Sequence, residues 1–303
     1  MRAAVAPRVA LALLGALIAL SFAAPLFRLA APTHPLVAAG LRLSLAALIL
    51  SPLIVRAHRA GRLDRRTVRL ALLAGLAYGL HFGAWVTSLT LTSVAASVTL
   101  VTCTPLLLGV WAAITGEDRQ GGVFFVALGC SSLGLVIIGG ADLASEGALV
   151  GDALALLGAL AIAGYFLLAR RLGPTLDVGA FSAIATATGG LALLTAAAFM
   201  GIELRPASVS AAWAIALCTL IPQLIGHTLL TWSLRHVGPS VTAMATVGEP
   251  VGATLLSDVL LGESVSPSVF LGCACTLAGV MVVVLSTGRE RGLKDAQDNG
   301  KLS

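Results

Sequence analysis

Residues 10–17 read ALALLGAL, and residues 153–160 read ALALLGAL again. Working outward from these two stretches, further matches follow in the same order at offsets between 143 and 146. Phe22 pairs with Tyr165, His81 with His227, Ser88-Leu89 with Ser233-Leu234 and Pro105 with Pro250. Gly116-Glu117 pairs with Gly262-Glu263, and Gly129 and Gly134 pair with Gly272 and Gly279. A biased composition throws up short matches, but it does not keep their order and spacing. The chain therefore reads as two copies of one unit, over residues 1–145 and 146–288, with a charged tail at 289–303.

Composition says what the unit is. Of the 303 residues 58% are apolar and 11% are charged, where a soluble domain carries about 25% charged residues. Mean hydropathy is +0.98. So little charge cannot coat a soluble surface of this size, which excludes a disordered chain, a coiled coil and an ordinary cytosolic enzyme. The remaining class is an all-α integral membrane protein with very short loops. The five cysteines (Cys103, Cys130, Cys218, Cys273, Cys275) all fall in apolar runs, which argues against a disulfide framework. No cysteine or histidine spacing suits a metal, and no cofactor is expected.

Apolar runs between charges, turns and Gly/Pro clusters give ten spans: 9–29, 35–55, 68–89, 94–114, 121–140, 148–169, 177–200, 210–232, 239–260 and 267–286. The first run, behind Arg2 and Arg8, has the look of a signal peptide. It is long enough to span, however, and its octapeptide recurs mid-chain, so it reads as a structural helix. With the N-terminus cytoplasmic, 16 of the 19 Lys and Arg residues fall on the cytoplasmic side. Arg28 and Arg205 fall outside, and Arg42 lies within span 2. The positive-inside rule then predicts a multi-pass protein of the cell inner (plasma) membrane with both termini cytoplasmic. Two termini on one side require an even number of spans. The net charge of +5 thus reports orientation, and a nucleic-acid partner has no support.

Each copy holds five spans. Five is odd, so the second copy enters the membrane from the opposite side, and the ten helices form two inverted five-helix repeats. Two inverted halves can exchange shapes, opening a midplane site first to one side and then to the other.

Two stretches carry a resemblance: PLLLGVWAAITGE (Pro105 to Glu117) and EPVGATLLSDVLLGE (Glu249 to Glu263), each a proline followed about a dozen residues later by Gly-Glu and then a glycine-spaced final helix. With Arg42 in span 2, this pattern resembles the EamA-type members of the drug/metabolite transporter superfamily over nearly the whole chain. The turn Asp118-Arg119-Gln120-Gly121 is tighter and more charged than the family's usual one. The resemblance implies a ten-helix carrier whose central cavity is lined by spans 1, 3, 4, 6, 8 and 9, with spans 5 and 10 at the back. It also makes Phe22, Tyr165 and Phe166 cavity candidates. Exporters of the YddG type, which take aromatic and other amino acids, are the nearest functional analogy.

Read by themselves, the polar residues of the spans give further candidates. In span 3, Gly75, Gly79 and Gly83 form a GxxxGxxxG ridge along which another helix can approach closely. Tyr78, His81 and Trp85 share another face, about a third of a turn or more away. That face offers either a π surface with polar tips to an organic solute or a packing stripe. In span 8, Thr219, Gln223, His227 and Thr231 recur every four residues beside Pro222, as substrate contacts or as interhelical glue. Span 9 carries Thr246, Glu249 and Pro250. Glu249 is the costliest residue to place mid-membrane, either an ammonium or proton partner or a structural cap. Arg42 either receives a carboxylate or pairs locally. Pro105 and Pro250 are expected to bend spans 4 and 9 as hinges, with small neighbours absorbing the freed carbonyls. Trp111 and Trp232 read as interface anchors.

These readings converge on a secondary transporter of small amphiphilic metabolites, most of all aromatic or hydrophobic amino acids. Its expected partners are a small-molecule substrate and the lipid bilayer, and it is expected to act as a monomer, with a dimer as the alternative. A channel or a lipid or drug scramblase is the competing class. An intramembrane enzyme lacks a GxSxG, an HExxH or paired aspartates.

Overall fold

The computed structural model describes residues 7–92, 94–117, 121–139, 148–262 and scattered positions between 267 and 282. Most of the expected tenth span, the turn at 118–120, Glu263 and the tail at 289–303 lie outside the described residues. Among the described residues the fold is all-helical. Eight helices among the described residues are long and apolar enough to cross a membrane. They are α1 (Pro7–Leu29), α2 (Pro35–Arg59), α3 (Arg65–Ser88), α4 (Val94–Val101 and Thr104–Thr115), α6 (Ala148–Arg170), α7 (Val178–Phe199), α8 (Val209–Ser233) and α9 (Pro239–Leu261). A further apolar helix, α5 (Gly122–Gly139), lies between α4 and α6. The ends fall within a few residues of the sequence reading.

Local chemistry sets those ends. Asp64 Oδ1 accepts from Thr67 N at 2.7 Å, Asp177 Oδ1 from Ala180 N at 3.1 Å and Ser208 Oγ from Ala211 N at 3.0 Å. Each side chain takes up one of the amide hydrogens a helix start leaves unpaired. The bond from Thr67 holds the Asp64 carboxyl below its ordinary range. Pro35 and Pro239 open α2 and α9, where the missing N–H costs nothing. Gly116 and Gly262 close α4 and α9 with φ of 75° and 70°. The Gly of each Gly-Glu pair is thus a left-handed helix cap that an L side chain would strain.

Small residues bring the helices together. A Cβ added at Gly79 would stand 3.0 Å from the Cα of Gly189, and one at Gly75 would stand 2.8 Å from the carbonyl oxygen of Ala185. The GxxxGxxxG ridge of α3 therefore lies backbone to backbone on α7. On α2, the backbone around Gly40 and Ser44 meets Gly190 of α7 in the same way. At the back of the bundle, Gly134 and Ser131 of α5 pack on Gly272, Thr276 and Gly279, and Ser131 Oγ donates to Thr276 O at 3.2 Å. Outside this core, Leu11, Leu14, Ile18, Ile114, Leu149, Phe199 and Val259 are exposed. Water disfavours such a girdle of large apolar side chains, whereas lipid tails accept it.

The loops sort to two ends. Arg62 pairs with Asp177 at 3.0 Å, Arg66 donates to Arg171 O at 3.3 Å and Arg170 donates to Leu234 O at 2.6 Å. These contacts gather the α2–α3, α6–α7 and α8–α9 connections at one end, which is rich in arginine. At the other end, Arg28 donates to Thr92 O at 3.4 Å, and Ala207 N donates to Thr33 Oγ1 at 3.0 Å.

Four helices are interrupted near mid-length. α1 breaks at Phe22 and α4 at residues 102 and 103. α8 widens into a π-helix over Thr219–His227, and α9 tightens into a 3₁₀ turn over Ala245–Gly248. The sequence reading expected Pro105 and Pro250 to bend continuous spans. Instead each sits in the first turn of a new half-helix, Thr104–Thr115 and Glu249–Leu261, just after the break. Threonine hydroxyls bond carbonyls around the breaks, among them Val101 O, one turn before Pro105. Thr102 Oγ1 donates to Val98 O, Thr104 Oγ1 to Val101 O and Thr246 Oγ1 to Ala243 O, at 2.8, 2.9 and 2.8 Å. Pro222 likewise produces a widened turn in place of a simple kink.

Candidate functional site

The interruptions converge on one buried cavity. Leu20 and Ala23 flank the α1 break, Thr102 and Thr104 the α4 break, His227 ends the π-turn, and Thr246 and Glu249 bracket the end of the 3₁₀ turn. His81 and Trp85 of α3, together with Ile162 and Phe166 of α6, complete most of the wall. Six helices thus contribute: α1, α3, α4, α6, α8 and α9. Irregular backbone at membrane depth is tolerated where protein buries it or where it lines a cavity, and here it does the latter. The volume is about 40 Å³. A water needs roughly 10–15 Å³ on this measure, so the cavity has space for about three waters.

The wall is mostly apolar with a few open polar groups. His81 Nδ1 lies 2.9 Å from Gly158 O. A carbonyl can only accept, so Nδ1 carries the proton and Nε2 remains for a further partner. Gly158 is the glycine of the second ALALLGAL copy, and a Cβ there would stand 3.3 Å from both the His81 carbonyl oxygen and Trp85 Cβ. The Trp85 ring stacks on His81 at 6.0 Å between centroids. Its indole nitrogen and Nδ1 of His227 have no hydrogen-bond partner. Among the described residues Glu249 has neither a hydrogen bond nor an ion pair. It is buried in the first turn of its half-helix, where the helix dipole favours a negative charge.

Twelve residues were expected to line the cavity. Six stand in this wall: His81, Trp85, Phe166, His227, Thr246 and Glu249. The other six do not. Tyr78 and Gln223 hydrogen-bond each other, with Gln223 Nε2 donating to the Tyr78 hydroxyl at 3.0 Å. The Tyr165 hydroxyl lies 2.8 Å from Thr231 Oγ1, and the Tyr78 and Tyr165 rings stack at 4.6 Å. This satisfied polar layer of Tyr78, Gln223, Tyr165 and Thr231 joins α3, α6 and α8 away from the cavity. Phe22 sits at the α1 break, half-buried, while its neighbour Ala23 takes the place in the wall. Arg42 is fully buried behind Phe82. Sequence reasoning also missed Thr102 and Thr104. Thr104 was reachable, because Thr104-Pro105 is the repeat counterpart of Glu249-Pro250.

A second, larger cavity of about 510 Å³ lies toward the arginine-rich end. Leu108, Glu117, Leu167, Arg170, Arg171 and Pro239 help to line it. Leu108 and Arg170 are each one helical turn beyond a residue of the inner wall, Thr104 and Phe166, so only a thin layer of side chains separates the two spaces.

Fold and cavity together define a polytopic helical membrane protein built around a mostly apolar cavity with a few open polar groups. Residues 149–285 match the EamA-like transporter family. That match supports a membrane transporter. A solved crystal structure superposes with a TM-score of 0.73 at 17% identity, over 93% of this chain and 98% of that one. This likeness extends the shared fold across both halves.

Proposed function

We propose that the chain is a secondary transporter moving small amphiphilic metabolites, aromatic or hydrophobic amino acids above all, across the cell inner membrane by alternating access. The observation that carries this reading is the central cavity at which interrupted helices from both halves of the chain meet. Its apolar and aromatic walls suit a side chain, and its unpaired Trp85, His227 and Glu249 groups suit a polar head.

The mechanism needs two equivalent halves, and paired details support them. Ser88 Oγ donates to Trp85 O and lies 2.5 Å from Ser97 Oγ. Ser233 Oγ donates to Leu230 O and lies 3.1 Å from Thr242 Oγ1. The two devices are the same, 145 residues apart. The breaks before Pro105 and Pro250 share that offset. Helix neighbours also exchange under it: α3 packs on α6 as α8 packs on α1, and α4 on α6 as α9 on α1. We therefore read ten spans as two inverted five-helix repeats, 1–145 and 146–288, with the arginine-rich end and both termini cytoplasmic. Pro105 and Pro250 are the hinges about which one break straightens as the other bends. The chain works as a monomer in the bilayer.

Pure protein reconstituted in liposomes tests this with a panel of amino acids, purines and polyamines, with and without a pH gradient. Saturable uptake of phenylalanine, tryptophan or leucine is the expected result. Saturable uptake of a polyamine or purine alone would overturn the substrate class, and hydrolysis of any of them would favour an enzyme.

A further inference from the structure

We propose that Arg42 is a concealed carboxylate site, and that the substrate is a zwitterion held between Arg42 and Glu249. This rests on the carrier reading above and names its substrate class more closely.

Arg42 is 0% exposed, and none of its three side-chain nitrogens has a hydrogen-bond partner. The thiol of Cys218 is a neighbour, but it is too weak an acceptor to answer a guanidinium. The guanidinium carbon lies 4.3 Å from the Phe82 ring centre and 5.3 Å from that of Phe27. Those rings give partial compensation through their faces, yet they cannot occupy five N–H donors. Nearly all buried donors in folded proteins are paired. A side chain that stays charged and leaves all of them unpaired has its partner elsewhere than among the described residues of the resting chain.

Its position says where that partner comes from. Phe82 touches Arg42 and also packs ring to ring on His81 at 4.6 Å and on His227 at 5.4 Å. Both histidines stand in the cavity wall. One aromatic ring thus stands between the orphan cation and the histidines of the cavity wall, and the proposed site requires Phe82 to turn aside. The planar fork of a guanidinium matches a carboxylate through two parallel hydrogen bonds. Glu249, also without a partner, offers the complementary charge to an ammonium group. A zwitterion answers both, and its side chain then lies against Trp85, Phe166 and Leu20.

The test uses full-length protein, wild type, Arg42→Met and Arg42→Lys, with three probes that share one ring. Phenylalanine has both charges, phenethylamine lacks the carboxylate, and 3-phenylpropionate lacks the amine. In proteoliposomes the wild type is expected to prefer phenylalanine over phenethylamine by about 30-fold or more, the loss typical of unpairing a buried charge. Arg42→Met abolishes that preference, and Arg42→Lys restores part of it. Arg42→Met melts no lower than wild type in detergent, since it removes an unpaired buried charge, whereas a merely structural cation would lower the melting temperature. Binding is read separately, from the rise in melting temperature with 3-phenylpropionate, which is expected in wild type and absent in Arg42→Met. An Arg42→Met protein that keeps the preference, or a wild type with no Arg42-dependent rise, overturns the site. Absence of all transport with the rise intact would instead sink the carrier reading alone.

Discussion

Gly79→Leu is expected to leave no folded protein. At this position α3 meets α7 with no side chain between them, and even a single added carbon would stand 3.0 Å from both the Cα and the carbonyl oxygen of Gly189. Neither atom can step aside as a flexible side chain does. Small overpacking changes cost about 1–3 kcal/mol where side chains can yield, and four extra carbons against a backbone exceed that. Gly75→Ala is a milder form of the same insult, with its methyl 2.8 Å from the carbonyl oxygen of Ala185, and is expected to fold with a lower melting temperature. Gly164→Ala is the control. Nothing lies within 4 Å of its added methyl, and alanine is better in a helix interior by about 1 kcal/mol. Size-exclusion profiles and melting curves in detergent separate the three. A Gly79→Leu protein that runs and melts like wild type would mean that α3 and α7 do not touch here.

Glu249→Leu is expected to fold normally and to lose transport by about 100-fold or more, the scale of removing one charge from a buried ionic contact. No described residue hydrogen-bonds or ion-pairs directly with this carboxylate, so leucine breaks no direct contact, and the fold is expected to hold. Glu249→Gln keeps the shape and hydrogen-bonding reach without the charge. If transport depends on the charge, the glutamine variant falls with the leucine variant. Wild-type rates in both would place Glu249 outside the transport pathway. A loss of folding in both would make it a structural residue of the α9 break.

Much of the fold was legible because a membrane reduces folding to few choices. An apolar run flanked by charge must be a helix, so the ends of α1 to α9 followed from composition and punctuation. The glycine ridge of α3 was legible for the same reason, since only a close helix neighbour requires it. What the sequence did not disclose was local backbone. The π-turn over Thr219–His227 and the 3₁₀ turn over Ala245–Gly248 arise from tertiary fit, and proline alone signals trouble without its form. The site was legible in part. His81, Trp85, His227, Thr246 and Glu249 were picked out as polar or aromatic groups too costly to face lipid. The same cost argument also picked Tyr78, Gln223, Tyr165 and Thr231, which instead satisfy one another. Sequence shows that a polar group must have a partner, and only geometry shows whether that partner is within the chain. Thr102 and Thr104 were overlooked because threonine is cheap to bury and their hydroxyls already bond to the preceding turn. Arg42 is the reverse case: it was marked for its charge, and its lack of any partner came only from the structure.

The central claim is that one central cavity opens alternately to the two sides. Counterflow tests it most directly. Proteoliposomes loaded with unlabelled phenylalanine are placed in a trace of labelled phenylalanine, and internal label is followed with time. A carrier that returns fastest when loaded takes up label transiently above its final equilibrium level, and that overshoot is the predicted result. Label that rises only to equilibrium, at a rate proportional to outside concentration and indifferent to the internal load, would describe a channel and contradict the account.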